Sequence, residues 1–191
     1  MTPFSVLVAV LGWLVLGLEA GTKGVLSFPV GPASASPSFM IPLMVFICIC
    51  ASPQHALWSA LFLGLGVDLA WQYPAAAEPM TVLGPNALGF VLAAQFILAV
   101  RGLVIRRNPL TVAAVSIPAA AIVHIVIVAI LTVRQSWDTT LSWAPTSQLA
   151  ARMLSALLTG GSGLLLGVLL MPLAPALGMN SGLARHTSSR R

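Results

Sequence analysis

The sequence predicts an all-α integral membrane protein, built as a bundle of six transmembrane helices. Of its 191 residues, 58% are hydrophobic and only 7% are charged, whereas a soluble domain has about 25% charged residues. A chain with so few charged residues cannot cover a globule with a water-compatible surface. Nearly all of the chain is therefore expected in or near a bilayer. The net charge of +5 does not indicate nucleic-acid binding, because the basic residues are scattered and mostly flank apolar stretches.

Six apolar segments are long enough, or nearly so, to cross about 30 Å of hydrocarbon. The predicted spans are 4–26, 38–51, 55–73, 86–105, 110–133 and 149–172. They form one transmembrane domain over residues 1–177, followed by a basic tail, 178–191, that is expected to be disordered. The second span is short and contains Pro42, so it either thins the bilayer or stays surrounded by neighbouring helices.

The first span is expected to be an uncleaved anchor. The tripeptide at 33–35, Ala-Ser-Ala, resembles a signal-peptide cleavage site, but no Lys or Arg precedes the apolar run. Orientation follows from the distribution of Lys and Arg between the two sides of the bundle. One side has Arg106, Arg107, Arg185, Arg190 and Arg191; the other has Lys23, Arg134 and Arg152. The excess on the first side predicts that both termini are cytoplasmic.

Several polar residues share one depth at the outer end of this predicted bundle. Glu19 lies near the end of the first span, Asp68 near the end of the third, Asn86 at the start of the fourth, and Arg152 at the start of the sixth. A carboxylate at the centre of a span costs about 3 kcal/mol to insert, and less near an interface. The cluster is either an interhelical ion-pair and hydrogen-bond group that fixes packing, or the mouth of a ligand pocket or partner-binding site.

Small residues four apart mark the predicted close contacts between helices. The pairs are Gly17 with Gly21, Ala60 with Gly64, and Gly163 with Gly167. His124, near the middle of the fifth span, is expected to be a neutral imidazole that hydrogen-bonds across helices.

No enzymatic activity, cofactor or metal is predicted. The sequence Gly160-Gly-Ser-Gly163 matches the GxSG motif of rhomboid proteases, whose serine needs a histidine base at its own depth on a later span. The later histidine here, His186, lies in the predicted tail, and His124 precedes the serine. Cys48 and Cys50 lie two residues apart, a spacing that does not suit a CxxC redox or metal motif.

The middle of the chain, about 37–118, resembles the MreD family of rod shape-determining proteins. That resemblance rests on Gly64-Leu-Gly-Val-Asp68, on Leu83-Gly84, and on Asn86-Ala87-Leu88-Gly89-Phe90, in that order. Pro85, between Gly84 and Asn86, departs from the family pattern, as does a longer loop before it.

The resemblance implies a non-enzymatic scaffold of the cell-wall elongation complex in the bacterial cytoplasmic membrane. Its expected partners are an MreC-like protein, MreB, RodA with its transpeptidase, and membrane lipids. The family fold is similar to the S-components of ECF vitamin transporters, so a nutrient-binding S-component is the alternative. The residues expected to serve structure or interaction are Gly64, Asp68, Gly84, Asn86, Glu19 and Arg152.

Overall fold

The computed structural model describes residues 3–31, 33–73, 79–103, 108–138 and 144–172. The helices are α1 (Pro3–Lys23), α2 (Met40–Cys50), α3 (Pro53–Ala70), α4 (Pro85–Val100), α5 (Pro109–Gln135) and α6 (Pro145–Leu170). The last four begin at a proline, whose fixed φ and missing N–H suit the first helical position. Each predicted span overlaps one of these helices.

The six-span prediction is confirmed only in part. By length and hydropathy, three of the described helices could each cross a bilayer: α1 over Phe4–Lys23, α5 and α6. The α2 and α4 helices are apolar but shorter, with 11 and 16 residues. The chain is therefore mostly helical with membrane-helix character, and the remaining spans belong to the proposal below.

The all-α prediction missed one β-hairpin between α1 and α2. Its strands, β1 (Phe28–Val30) and β2 (Ala33–Ala35), pair antiparallel, and Gly31 adopts a φ of +59° in the turn. The tripeptide that resembles a cleavage site is strand β2. Local hydropathy did not indicate this hairpin because the strands are only three residues long.

Helix α2 forms the centre of the bundle, and all eleven of its residues are buried. It contacts each of the other five helices. At 1.5 Å per residue it is about 16 Å long, about half of a hydrocarbon core. Of the two alternatives for this short segment, the surrounded helix is the one observed.

The segment that connects β2 to α2 is attached to α6 by a row of hydroxyl groups. The Ser36 and Ser38 N–H groups donate to Ser155 Oγ and Thr159 Oγ1, at 3.0 and 3.1 Å. The Ser162 hydroxyl donates to the Ser38 carbonyl. The three α6 residues are spaced four and three apart, so they lie on one face of the helix.

Close helix contacts follow two of the three predicted small-residue pairs. A Cβ added at Gly163 or Gly167 would lie about 3 Å from atoms of α5, and one at Gly64 would lie 2.6 Å from Ala87 Cα. At Gly17 and Gly21 no close contact is found within the described chain, because an added Cβ there meets none of its atoms within 4 Å. Helix α1 presents those glycines away from the bundle, and both are exposed.

Some predictions lie outside the described residues. These are the tail at 178–191, Arg106 and Arg107 with the orientation that depends on them, and residues 74–78 of the long loop predicted at 74–82.

Candidate functional site

Asp68 is the centre of a hydrogen-bonded junction between α3 and α4. Its side chain is fully buried, with 0% exposure. Oδ2 accepts from the N–H groups of Gly84, at 2.9 Å, and Ala87, at 3.1 Å. Oδ1 accepts from the Asn86 N–H, at 3.0 Å, and from the Asn86 side-chain amide, at 2.9 Å. We call Gly64, Asp68, Gly84, Asn86 and Ala87 the α3–α4 junction.

This carboxylate replaces the helix cap that α4 lacks in its own sequence. The first N–H groups of a helix have no partner within it, and the helix dipole makes that end positive. The N-cap residue is Gly84, which has no side chain to accept a hydrogen bond. Pro85 has no N–H to satisfy, so proline suits the first position of the helix. A buried anion from α3 therefore satisfies both the hydrogen bonds and the dipole of α4.

Two glycines make the α3–α4 junction sterically possible. Gly64 lies one helical turn before Asp68 and therefore on the same face of α3. Its missing side chain lets Ala87 and the Asn86 carbonyl approach, since an added Cβ would lie 2.6 and 2.9 Å from them. Gly84 has a φ of +116°, which L side chains rarely adopt. The spacing of Gly64 and Asp68 thus lets α4 begin directly against α3.

Glu19 caps α2 in the same manner from α1. Its Oε2 accepts from the Ser38 hydroxyl at 3.0 Å, and from the N–H groups of Phe39 and Met40 at 2.8 and 3.0 Å. Phe39 and Met40 are buried, so their N–H groups need a hydrogen-bond partner, and α1 provides it. Sequence reasoning did not foresee this role for Glu19.

Three residues of the predicted polar cluster, Asp68, Asn86 and Arg152, are connected by hydrogen bonds, whereas those of Glu19 go to the start of α2. The Asn86 amide donates to the Tyr73 hydroxyl at 3.1 Å as well as to Asp68. Arg152, on α6, hydrogen-bonds the Tyr73 side chain. Tyr73 therefore links Arg152 to the α3–α4 junction, a role that the sequence did not indicate.

A cavity of about 520 Å³ adjoins this cluster. It lies among the ends of α1 and α3, the hairpin, and the neighbouring parts of α2, α4, α5 and α6. The polar side chains on its wall include Glu19, Lys23, Tyr73, Asn86, His124, Gln148 and Arg152, together with Gln72 and the serines Ser27, Ser34, Ser36, Ser38 and Ser155. The ammonium of Lys23 lies 3.4 Å from the ring centroid of Trp71, a cation–π contact at the rim of the same cavity.

The structure describes the surroundings of two polar residues that the sequence singled out. They are His124, predicted to hydrogen-bond across helices, and Ser162, the serine of the GxSG sequence. The prediction of a hydrogen-bonded His124 is wrong for the described residues, in which neither ring nitrogen has a partner although both are shielded from solvent. Ser162 donates to the Ser38 and Thr159 carbonyls. Among the described residues, no group of three or more His, Cys, Asp or Glu side chains is arranged to hold a metal ion.

Comparison with known proteins adds no family. No protein-family model, no curated protein and no solved structure matches this chain. The site is therefore interpreted from its own geometry.

Proposed function

We propose that this chain is a non-enzymatic scaffold of the bacterial cell-wall elongation complex, of the MreD type, and that it binds an MreC-like partner. One observation supports it most. The two segments that resemble the family, Gly64 to Asp68 and Leu83 to Phe90, contact each other as the α3–α4 junction. Chance similarity between apolar sequences would not require the two matching segments to contact each other. Their contact therefore favours a genuine resemblance to the family.

The chemistry of Asp68 favours a structural role over catalysis. Both of its oxygens accept hydrogen bonds from α4 or its N-cap residue Gly84, four in all. A general base needs access to a substrate proton, whereas this group is fully buried. The carboxylate instead fixes where α4 starts, and with it the shape of this end of the bundle.

The surface beside the junction could receive an apolar partner segment. Leu69 and Leu83 flank Asp68 and Gly84 in sequence, and they are 66% and 60% exposed. A single-span membrane protein of the MreC kind offers a helix that could pack there. In this proposal the protein lies in the bacterial cytoplasmic membrane as a six-span bundle with cytoplasmic termini, so reporter fusions after Arg107 and Arg191 both give cytoplasmic signals.

Affinity purification of the tagged chain from mild detergent tests the proposal. The expected result is recovery of a single-span protein with a periplasmic coiled coil, and reduced recovery with Asp68→Asn. Asp138→Asn, which removes a carboxylate paired with Arg134 at 3.6 Å on the surface, is the matched control and retains the partner. Recovery of an ECF energising subunit instead would overturn the scaffold proposal.

The cavity favours a second candidate, the substrate-binding S-component of an ECF-type nutrient transporter. Small-molecule pockets usually enclose about 300–1,000 Å³, and the volume of 520 Å³ falls within that range. The same purification separates the candidates, because an S-component co-purifies with an energising subunit. A neighbouring gene for a single-span coiled-coil protein would favour the scaffold.

A further inference from the structure

The wall of the 520 Å³ cavity is more polar than that of most small-molecule pockets. Such pockets are usually lined mainly by hydrophobic and aromatic side chains, with a small number of polar groups. Here most of the lining residues are polar, and five of them are serines. A ligand that fills this cavity must therefore form hydrogen bonds over much of its surface, because a buried polar group without a partner is destabilising.

Several polar groups of the wall have hydrogen-bonding capacity left for a ligand. The Glu19 carboxylate receives its three hydrogen bonds on Oε2, so Oε1 accepts none from the described residues. Hydroxyl and amide side chains that make no hydrogen bond within the described part of the chain are those of Ser27, Ser34, Ser36, Gln72 and Gln148. Each of these hydroxyls and amides can both donate and accept. Tyr73 and Arg152 bond to each other and are not counted here.

The charges at this end of the bundle balance. Glu19 and Lys23 line the cavity from one face of α1, four residues apart. Asp68 and Arg152 belong to one chain of hydrogen-bonded side chains. Two carboxylates thus accompany two cations among the described residues. A ligand with a net charge would lose its water without a compensating charge, so an uncharged ligand is favoured.

His124 is the polar side chain of the wall that most requires a partner. Both of its ring nitrogens are shielded from solvent, and neither has a partner among the described residues. A shielded polar group without a hydrogen bond requires an explanation. A neutral imidazole has one donor and one acceptor nitrogen, and a hydroxyl group can both donate and accept. A ligand hydroxyl can therefore pair with either nitrogen.

We infer that this cavity binds a small uncharged polyhydroxylated molecule with the chemistry of a simple sugar. Its hydroxyl groups pair with the serine, amide and imidazole groups of the wall, and its C–H faces lie against apolar residues such as Ile41 and Phe90. The capping of α4 by Asp68 does not use this cavity. The site can therefore exist in a scaffold as well as in a transporter.

The test uses methyl β-D-glucoside as the probe and the full chain in phosphatidylcholine nanodiscs, which contain no sugar. Saturation-transfer difference NMR is expected to show saturable binding, with a Kd of about 1 mM or tighter. Glucuronate and the ammonium form of glucosamine have the same ring with a charge, and each should bind at least about tenfold more weakly. No saturable binding of methyl glucoside, or a similar or lower Kd for either charged sugar, would overturn the inference.

Substitutions of single polar side chains connect that binding to the cavity. Gln148→Leu removes an amide at nearly constant volume and should weaken methyl glucoside binding by about five- to tenfold. Ser34→Ala and Ser36→Ala should each weaken it by about threefold. Gln54→Leu is the matched control, because Gln54 is exposed at the start of α3 and does not line the cavity. Weaker binding in the control, or unchanged binding in all three cavity variants, would contradict the assignment.

His124→Phe separates a ligand site from a cavity that holds only water. The substitution keeps an aromatic ring and removes both nitrogens, so it should weaken methyl glucoside binding without lowering the melting temperature of the ligand-free protein. His55→Phe, which removes a hydrogen bond of 2.9 Å to Ser52 on the surface, is the control and should leave binding unchanged. Unchanged binding in His124→Phe would contradict the inference. Partner recovery in the Asp68→Asn experiment is measured separately, so failure of one proposal leaves the other standing.

Discussion

Two helices of this bundle begin against a carboxylate from the preceding helix, and the two carboxylates differ in burial. Asp68 of α3 caps α4 and is fully buried, and both of its oxygens are used. Glu19 of α1 caps α2 and is only partly buried. Its three hydrogen bonds all end on Oε2, and the side chain also faces the cavity.

The difference follows from how closely the helices approach each other. Gly64 lets α4 lie directly against α3, so the short side chain of Asp68 reaches the N–H groups of Gly84, Asn86 and Ala87. Helix α1 is much less buried than α5 and α6, and Glu19 reaches the N–H groups at the start of α2 with a longer side chain. The first cap excludes solvent and fixes geometry, whereas the second remains accessible from the cavity. We therefore expect a larger stability cost from changes at Asp68 than from changes at Glu19.

The largest expected effect is that of Asp68→Ala. It leaves the N–H groups of Gly84, Asn86 and Ala87 buried without an acceptor, and it removes the anion from the positive end of α4. The free energy of unfolding should fall by about 3–5 kcal/mol. Denaturant titration in mixed micelles, followed by circular dichroism, measures this.

The control for that change is Asp138→Ala at the surface. Asp138 pairs with Arg134 at 3.6 Å, and the two side chains are 28% and 39% exposed. Such a pair contributes about 0–1 kcal/mol. A loss at Asp68 no larger than the loss at Asp138 would show that the buried cap does not stabilise the bundle.

Gly64→Ala should have the next largest effect. The new methyl group would lie 2.6 Å from Ala87 Cα, so α3 and α4 must separate and Asp68 must lose hydrogen bonds. We expect a loss of about 1–3 kcal/mol, as for other overpacked contacts. Gly66→Ala, on the same helix with no atom within 4 Å of the new Cβ, should instead be neutral or stabilising by up to about 1 kcal/mol. Equal effects of the two substitutions would contradict the close-approach interpretation.

Glu19→Gln should have the smallest effect of the three. The amide oxygen of glutamine can still accept hydrogen bonds from Phe39 and Met40, so mainly the charge at the start of α2 is lost. A charge near a helix terminus contributes about 0.3–1 kcal/mol at a partly exposed site. The same denaturant titration checks this, and a loss greater than that of Asp68→Ala would reverse the comparison.

The sequence predicted the helices, and the end of the bundle where the polar residues lie, better than it predicted the hydrogen bonds that those residues make. Hydropathy located all six helices, and the four-residue spacing of Gly64 and Asp68 indicated one shared face, because these signals are local. The capping by Glu19, the link through Tyr73 and the lack of a partner for His124 among the described residues depend on which distant elements meet. Local spacing does not contain that information. The hydroxyl row of Ser155, Thr159 and Ser162 did have a local signal, since the spacing of four and three marks one helix face.

Hydrogen–deuterium exchange at the starts of α2 and α4 tests the central claim. The claim is that Glu19 and Asp68 stabilise the first turns of α2 and α4 by accepting hydrogen bonds from their N–H groups. In the wild type, peptides covering 84–88 and 38–42 should both be protected, with the stronger protection at 84–88. Asp68→Asn should increase exchange at 84–88 and leave 38–42 unchanged, and Glu19→Gln should do the reverse with a smaller change. Unchanged protection of 84–88 in Asp68→Asn would contradict the account.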